Sequence, residues 1–387
     1  MRNENPAVPK IARVGEVRIL FSCRPAHGHL FPLVPLARAA RGAGHEVVFA
    51  TGPSFLRHVR DLGFEAHAAG ISIEEAETEA RRRHGDGDVV PLMITMFADV
   101  LPRATSADLA ALLPRVKPDL VVYEQSDIGA VKAAGEAGIP FVSHVIGRSM
   151  PPPVLEVAAP EMAWLWDGTP PADPMLGDTA IDIWPDAVRD RAVAALPTVI
   201  RQRPVAFDLD VPMPELSGKP LVYLTLGTVA FGAVDVLRAA VDGLAGLPVD
   251  VLVAAGPGDP ALLGEVPGNV HVTGFVPQRE VLARASLVVH HGGSGTVLGT
   301  LAAGLPQLVL PQGADQFVNA DVLAETGAGA KLVGQEVTAD AVALAAGRLL
   351  DDPAAREVAV RVAAEIAAMP DPAAVVVRLT ELVRERV

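Results

Sequence analysis

The sequence predicts an α/β protein made of two doubly wound domains, each built around a parallel sheet. Three observations lead to this fold class. Short runs of apolar residues alternate with helical patterns, and a run that is apolar throughout is typical of a strand buried on both faces. The alternation stops at an irregular stretch, residues 150–185, and restarts after a second one, residues 203–220. The length of 387 residues also suits two domains of about 100–200 residues each.

The first half of the chain contains five predicted strands and three predicted helices. The strands are residues 17–23, 46–51, 64–69, 119–124 and 139–145, and the helices are residues 30–43, 53–63 and 128–137. Gly44 ends the first helix, because glycine is the usual residue just past a helix C-terminus. We expect a disordered tail over residues 1–16 and an N-terminal domain over residues 17–202.

The second half repeats the pattern. Predicted strands are residues 221–227, 249–256, 269–275, 286–293 and 307–312, with helices at 234–244, 277–285 and 296–303 and further helices to the C-terminus. We expect an interdomain linker over residues 203–220, a C-terminal domain over 221–370, and a last helix over 371–387 that packs back toward the N-terminal domain.

Composition excludes several classes of protein. The net charge is −14, whereas a nucleic-acid-binding protein usually presents a basic face. One cysteine, Cys23, rules out a disulfide scaffold and a cysteine-rich metal site. No apolar run reaches the roughly 18 residues of a membrane span, and the N-terminus lacks the apolar region of a secretory signal. We therefore expect a cytoplasmic protein without a membrane or nucleic-acid partner; the oligomeric state, a homodimer included, stays open.

A glycine-rich turn, HHGGSGT at residues 290–296, joins a predicted strand to a predicted helix. The N-terminus of a helix presents unpaired N–H groups and the positive end of its dipole, and glycines let a phosphate approach this backbone closely. Ser294 and Thr296 add hydroxyl donors, and His291 adds an imidazole. The turn thus predicts a diphosphate site; the alternative is an ordinary tight turn between a strand and a helix.

Three familiar motifs do not fit this turn. Gly293 and Gly295 are followed by Leu298, which breaks the dinucleotide-binding pattern GxGxxG. The nucleophile elbow GxSxG lacks its last glycine, because Thr296 stands there. No lysine follows the glycines, so a Walker loop is absent.

The segment from Gly274 to Ala320, GFVPQREVLARASLVVHHGGSGTVLGTLAAGLPQLVLPQGADQFVNA, resembles the nucleotide-sugar signature of GT-B glycosyltransferases. It is most similar to family 1 enzymes of actinomycete natural-product pathways, such as the calicheamicin and macrolide glycosyltransferases. The resemblance continues in PAHGHLFPLVPLARAARGAGHEVVFAT and DLVVYEQ of the first half. It implies two Rossmann-like domains that face a cleft, the N-terminal one binding the acceptor and the C-terminal one the nucleotide sugar.

The resemblance also implies a set of donor-binding residues. Phe275 would stack on the nucleobase, and the backbone of Val276 would reach the edge of the base. Asp315 and Gln316 would hydrogen-bond the hydroxyls of the sugar, since an acid and an amide together offer acceptors and donors. The alternative for Phe275 is a core aromatic, and for Asp315 a helix cap. The remaining residues implied in nucleotide and diphosphate binding are Gly227, Thr228, Gln278, His291, Gly293, Ser294, Gly295 and Thr296.

The resemblance assigns the general base to the histidine of GHxxP, which is His29 and not His27. A histidine after the first strand suits this task, because ligands of open α/β sheets bind at the carboxyl ends of strands and the ring titrates near neutral pH. Glu124 stands where the family places an acid after the strand DLVVYE, although many relatives have aspartate there. A carboxylate would orient the ring and stabilise its protonated form. Asp127 is the alternative acid.

Together these residues predict an inverting transfer that needs no metal and no further cofactor. The acceptor oxygen would attack the anomeric carbon from the face opposite the diphosphate, whose charge the helix N-terminus and His291 would hold. The triplet Asp208-Leu209-Asp210 resembles a metal motif of another glycosyltransferase fold, but it falls in the predicted linker. His290 and His291 are a poor metal pair, because adjacent residues of a strand point to opposite faces.

All three tryptophans, Trp164, Trp166 and Trp184, lie in one window, with Met162 and Met175 nearby. The functional interpretation is an apolar acceptor pocket formed by Trp164, Trp166 and Met162, suited to a hydrophobic aglycone. The alternative is a small core beneath an irregular loop.

Relatives from antibiotic pathways favour a dTDP-deoxysugar donor over a UDP-sugar. Two other functions stay open at this point. One is a GT-B-fold sugar-nucleotide 2-epimerase, which would need acids on both sides of the sugar and no aglycone pocket. The other is a non-catalytic nucleotide-sugar-binding partner of another transferase.

Overall fold

The computed structural model describes residues 15–85, 89–166, 173–206, 211–227, 234–256 and 263–385. Three predicted features lie outside these ranges: most of the N-terminal tail, the whole Asp208-Leu209-Asp210 triplet, and Thr228. Two sheets organise the chain, one in each half.

The first sheet has seven strands in the order β3-β2-β1-β4-β5-β6-β7, and every pairing is parallel. The strands are β1 (Arg18–Ser22), β2 (Glu46–Thr51), β3 (Glu65–Ala68), β4 (Leu120–Glu124), β5 (Phe141–His144), β6 (Thr179–Asp182) and β7 (Thr198–Arg201). The second sheet has six strands in the order β10-β9-β8-β11-β12-β13, also all parallel. They are β8 (Leu221–Thr225), β9 (Asp250–Ala254), β10 (Val270–Thr273), β11 (Ala285–His290), β12 (Gln307–Val309) and β13 (Gly329–Lys331).

Helices connect the strands. Those of the first half are α1 (His27–Leu30), α2 (Val34–Gly42), α3 (Leu56–Asp61), α4 (Ile73–His84), α5 (Val89–Ile94), α6 (Leu101–Val116), α7 (Gly129–Glu136), α8 (Pro152–Met162) and α9 (Arg191–Ala194). Those of the second half are α10 (Val234–Ala245), α11 (Gln278–Arg284), α12 (Ser294–Ala302), α13 (Gln316–Thr326), α14 (Ala339–Asp351), α15 (Pro353–Ala368) and α16 (Pro372–Arg384). No helix in the described ranges is long and apolar enough to cross a membrane.

Each sheet reverses its strand order at one point, between β1 and β4 in the first and between β8 and β11 in the second. Loops that leave the carboxyl ends of two such strands run in opposite directions and open a crevice where ligands bind. The predicted fold class of two doubly wound, Rossmann-like domains is confirmed, and these two points are where functional residues are expected.

The first helix of the chain departs from its prediction. The predicted helix at residues 30–43 is instead α1, a short 3₁₀ turn (Phe31–Leu33) and α2. Pro32 and Pro35 lack backbone N–H groups and stand in the first turns of the 3₁₀ segment and of α2, so the chain restarts its helix at each of them. Helical structure therefore begins at His27, and His29 lies inside α1 directly after β1.

The irregular stretch of the first half contributes to the sheet. It supplies β6, and β7 follows within the same domain. Both strands have four residues, and β6, Thr-Ala-Ile-Asp, has no apolar run from which it could be recognised. Trp184, just after β6, is fully buried among residues of both halves, including Val145, Val297 and Val362. Trp184 therefore lies in a core shared by the two halves, apart from the cluster that holds Trp164 and Trp166.

The last helix packs on the first half of the molecule. Val375, Val376 and Leu379 of α16 are buried in the same core as Ile19 and Phe21 of β1. The chain thus crosses back after α15, so the two halves are joined both before β8 and after α15. The domain boundaries stay a prediction.

Candidate active site

The switch point of the first sheet brings His29 and Glu124 together. His29 follows β1 and Glu124 is the last residue of β4, and these two strands are neighbours. The His29 Nδ1 and the Glu124 Oε1 lie 2.9 Å apart. The Glu124 side chain is fully buried, whereas 29% of the His29 side chain is exposed. Both described contacts of the His29 ring, to Glu124 and to Ser126, are made by Nδ1, and no hydrogen bond of Nε2 is found within the described ranges.

Glu124 is ionised in this setting. Burial opposes its charge, but His29, the nearby Arg24 and the backbone N–H of Ser126 favour it and lower the pKa of the carboxyl to about 2. A charged carboxylate behind an imidazole favours the Nδ1–H tautomer and stabilises the ring when Nε2 takes up a proton. The extra methylene of glutamate relative to aspartate therefore does not prevent the contact.

Asp127, the alternative acid, lies in a different environment. Its Oδ2 accepts a hydrogen bond of 2.6 Å from the Ser22 hydroxyl. Burial, together with the charge of Glu124, raises the pKa of Asp127 to about 6. The two carboxyl groups thus have pKa values on opposite sides of their ordinary range, which is typical of acids with different functions. Glu124, the more acidic of the two, is the one that contacts His29.

The switch point of the second sheet forms the glycine turn. The His291 ring lies between Gly227, which follows β8, and Gly293, which precedes α12. A Cβ on Gly227 would approach the ring to 2.5 Å, and a Cβ on Gly293 would overlap its Nε2. Any larger residue at either position would therefore clash with the His291 ring. The N-cap residue of α12 is Gly293, which has no side chain to cap the helix, so the N–H groups of the first turn can bind an anion.

His291 takes part in this site as a neutral ring. Burial lowers its pKa to about 4, which the backbone of Thr225 opposes only in part. Its buried Nδ1 has no hydrogen-bond partner within the described ranges. The ring can thus donate or accept a hydrogen bond, but near neutral pH it adds no positive charge to a diphosphate. His290 is fixed instead, since its Nε2 pairs with Gln307 Oε1 at 2.7 Å and its Nδ1 accepts from the N–H of Gly292 at 2.9 Å.

Asp315 lies beside this turn. Its Oδ2 is 3.2 Å from the Ser294 hydroxyl oxygen and 3.3 Å from the Asn319 Nδ2. The alternative role of a helix cap is not seen, because the Asp315 side chain makes no capping hydrogen bond to α13. The preceding residue, Ala314, has a φ of 52°, a conformation that is uncommon for alanine and that marks a backbone held in place by its surroundings.

Gln316 is less available than Asp315. It is 6% exposed, and its Oε1 accepts the N–H groups of Gln312 and Gly313 at 2.8 and 3.1 Å. The side-chain oxygen of Gln316 therefore holds the loop before α13, and its Nε2 is the side-chain atom that can hydrogen-bond a ligand. Gly295 and Thr296 lie in the first turn of α12, next to Ser294.

The predicted nucleobase residues lie at the carboxyl end of β10. Phe275 is 39% exposed, so the alternative of a core aromatic does not hold. Val276 is 6% exposed and belongs to a core with Leu282, which leaves its backbone for a contact to a base. Gln278 is the first residue of α11. An exposed aromatic ring beside a buried backbone is an arrangement on which a planar base can stack.

Trp164, Trp166 and Met162 share one apolar cluster with Ile94, Ala98, Ile128 and Leu165. Met162 is 1% exposed, and the guanidinium of Arg103 lies 4.3 Å from the centre of the Trp164 ring. Ile128 follows Asp127, so the cluster adjoins the loop that carries the His29 partner. The geometry suits a small core as well as the wall of a pocket, and the acceptor role stays a prediction.

Sequence reasoning missed a connection between the two halves. Arg148, after β5, donates from Nε to Asn319 Oδ1 at 3.0 Å and stacks on Trp184 with a separation of 4.1 Å. Asn319 in turn contacts Asp315, and a Cβ on Gly147 would lie 2.7 Å from the Asp315 carboxylate. Contacts across 171 residues leave no local pattern, so only the fold identifies them.

Two Rossmann-like sheets, with a histidine–carboxylate pair at one switch point and a glycine turn at the other, define the GT-B class of glycosyltransferase. Residues 238–382 match the family described as erythromycin biosynthesis protein CIII-like, C-terminal domain. The chain is 34% identical to the L-demethylnoviosyl transferase of Streptomyces niveus, over 93% of this chain and 96% of that protein. It is 32% identical to the elloramycin glycosyltransferase ElmGT of Streptomyces olivaceus, over 94% and 97% of the two chains.

A solved structure agrees with these sequence relatives. The glycosyltransferase SsfS6 of Streptomyces sp. SF2575, complexed with thymidine diphosphate, is 28% identical with a TM-score of 0.76, covering 95% of this chain and all of that one. The chain therefore belongs to the family of actinomycete natural-product glycosyltransferases. The family resemblance inferred from the sequence is confirmed, and the protein is a glycosyltransferase.

Proposed function

We propose that this glycosyltransferase moves a deoxysugar from a dTDP-sugar to a hydroxyl group of a hydrophobic aglycone, with inversion at the anomeric carbon. The observation that carries the proposal is the 2.9 Å contact between His29 and the buried Glu124 at the switch point of the first sheet. A histidine whose Nδ1 is held by a carboxylate, and whose side chain is partly exposed, is arranged as a general base.

In this mechanism His29 Nε2 takes the proton of the acceptor hydroxyl while the hydroxyl oxygen forms a bond to the anomeric carbon. The bond from that carbon to the diphosphate breaks on the opposite face, and dTDP leaves with the electron pair. Glu124 stabilises the protonated His29 ring. The N–H groups at the start of α12 and the neutral His291 hydrogen-bond the departing diphosphate, so no step calls for a metal ion.

The proposal divides the chain into an acceptor-binding domain over residues 17–202 and a donor-binding domain over residues 221–370. Phe275 stacks on the base, Asp315 and Gln316 bind the sugar, and the apolar cluster around Trp164, Trp166 and Met162 faces the aglycone. The dTDP donor is supported by the relative SsfS6, which was solved with thymidine diphosphate. The epimerase and the non-catalytic partner gain no support from the two named sequence relatives, both of which are transferases.

Calorimetric titration with dTDP, UDP, GDP and NAD tests the donor site. We expect dTDP to bind most tightly and Phe275→Ala to weaken it by about tenfold or more, because stacking on an aromatic ring contributes about 1–3 kcal/mol per base. The matched control is Phe317→Ala, an aromatic of α13 with a similar exposure of 41%, which should leave dTDP affinity unchanged. Binding of NAD alone would contradict the proposal, as would equal effects of the two substitutions.

A further inference from the structure

The turn after β4 places Ser126 against both oxygens of the Glu124 carboxylate. The Ser126 backbone N–H donates to Oε2 at 2.9 Å, and the Ser126 hydroxyl oxygen lies 2.8 Å from each carboxylate oxygen. Glutamate has one more rotatable bond than aspartate. Contacts to both oxygens remove the freedom that this bond brings, since the carboxylate can no longer turn without losing one of them.

Ser126 also contacts the histidine. Its hydroxyl oxygen is 3.2 Å from His29 Nδ1, while Glu124 Oε1 is 2.9 Å from the same nitrogen. A serine hydroxyl has one proton to donate and lone pairs that accept. With the proton directed to the carboxylate, the lone pairs face Nδ1, so Nδ1–H has two acceptors and the neutral ring is favoured with its proton on that nitrogen.

The position of Ser126 is itself fixed by the structure. The buried Arg24, just after β1, donates from Nη2 to the Ser126 carbonyl oxygen and, at 3.2 Å, to the Phe97 carbonyl oxygen. The Arg24 guanidinium also lies 4.6 Å from the centre of the Phe97 ring. The Asp127 N–H closes the turn by donating to the Glu124 carbonyl at 2.8 Å. Hydrogen bonds to the carbonyl oxygen and from the N–H of the peptide between Ser126 and Asp127 thus fix the position of Ser126.

We propose that Ser126 is a positioning residue of this enzyme, which seats a glutamate beside His29 and keeps the proton of the neutral ring on Nδ1, so that Nε2 is free to accept the acceptor's proton. The inference rests on the proposed role of His29 as the general base. It explains how the chain uses a longer acid at this position, because the hydroxyl and N–H of Ser126 fill the space and the hydrogen-bonding positions around the carboxylate.

Nuclear magnetic resonance of the histidine side chains tests the proposal without any substrate. Long-range ¹H–¹⁵N spectra of the full chain distinguish the two neutral tautomers, and the spectrum of His29→Ala assigns the His29 signals by their loss. We expect the Nδ1–H tautomer in the wild type and in Ser126→Thr, which keeps the hydroxyl, and a mixture of tautomers in Ser126→Ala. Ser143→Ala is the matched control, because Ser143 is a buried serine of β5 whose hydroxyl donates to the Leu176 carbonyl at 2.7 Å.

Kinetics give a second readout on any aglycone that the wild type accepts. We expect Ser126→Ala to lower kcat by about 10- to 100-fold with KM for the donor unchanged, since small errors in the placement of a catalytic group have effects of this size. In a Glu124→Gln background the same substitution should add less than about threefold, because residues that act as a unit are not additive.

A His29 spectrum of Ser126→Ala that matches the wild type, or a kcat effect that persists in full in the Glu124→Gln background, would overturn the role of Ser126. The proposed function fails separately, if His29→Ala transfers sugar as fast as the wild type. A general loss of folding in Ser126→Ala would show as broadened signals from all histidines. In that event the role of Ser126 is tested by comparing the His29 spectra of Ser126→Thr and Glu124→Gln. Wild-type behaviour of Ser126→Thr supports the hydroxyl, and a tautomer mixture in that variant contradicts it.

Discussion

Replacing Asp127 by asparagine should make the protein more stable at alkaline pH. Asp127 is 3% exposed, and burial with the adjacent Glu124 charge raises its pKa from 3.8 to about 6. The folded protein therefore binds the proton more tightly than the unfolded chain does. Its stabilising contribution is complete below about pH 4 and is lost as the pH rises through about 6. The two pKa values differ by about two, which at about 1.4 kcal/mol for each pH unit corresponds to about 3 kcal/mol.

Urea denaturation of the wild type and Asp127→Asn at pH 4 and pH 8 measures this effect. Asparagine keeps an oxygen that accepts from Ser22, but it has no charge to bury. Relative to the wild type, Asp127→Asn should gain about 3 kcal/mol of unfolding free energy when the pH is raised from 4 to 8. Asp61→Asn, at a carboxylate that is 70% exposed, is the control and should change stability little at either pH. The same pH dependence in Asp127→Asn and the wild type would refute the reasoning.

Two further predictions concern the second half. Gly293→Ala should destabilise the fold by about 1–3 kcal/mol because its Cβ overlaps the His291 ring. In Gly295→Ala, the control, the new Cβ meets no atom of the described residues within 4 Å and should cost little; equal unfolding free energies of the two variants would contradict this. Asn319→Ala should cost about 1–3 kcal/mol in thermal denaturation, because it leaves the Nε of Arg148, which is 8% exposed, without its acceptor. A loss below about 0.5 kcal/mol would argue against this link between the halves.

Much of the fold follows from the sequence because parallel strands are buried on both faces. Strands such as β1, β4 and β11 are continuous apolar runs, and glycines mark the turns that follow β8 and β11. The strands β6, β7 and β13 were missed, since they have only three or four residues and are held by their neighbours in the sheet rather than by a pattern of their own.

The same contrast applies to the candidate site. His29, Glu124 and His291 follow predicted strands, so their meeting at the switch points could be expected from the topology. Ser126 and Arg148 could not, because their roles depend on where a turn and a loop bring them. The single signal for Ser126 in the sequence is its place two residues after Glu124, just past the carboxyl end of β4.

Sugar transfer by His29→Ala, compared with the wild type and with His27→Ala, tests the central claim most directly. The His27 ring contacts Phe31, Phe55 and His58 in aromatic packing, so His27 is a matched histidine two residues away. We predict that His29→Ala loses about 10²- to 10⁴-fold in kcat while its dTDP affinity is kept, and that His27→Ala transfers at a rate near that of the wild type. Undiminished transfer by His29→Ala, with dTDP still bound, would contradict the assignment of the general base.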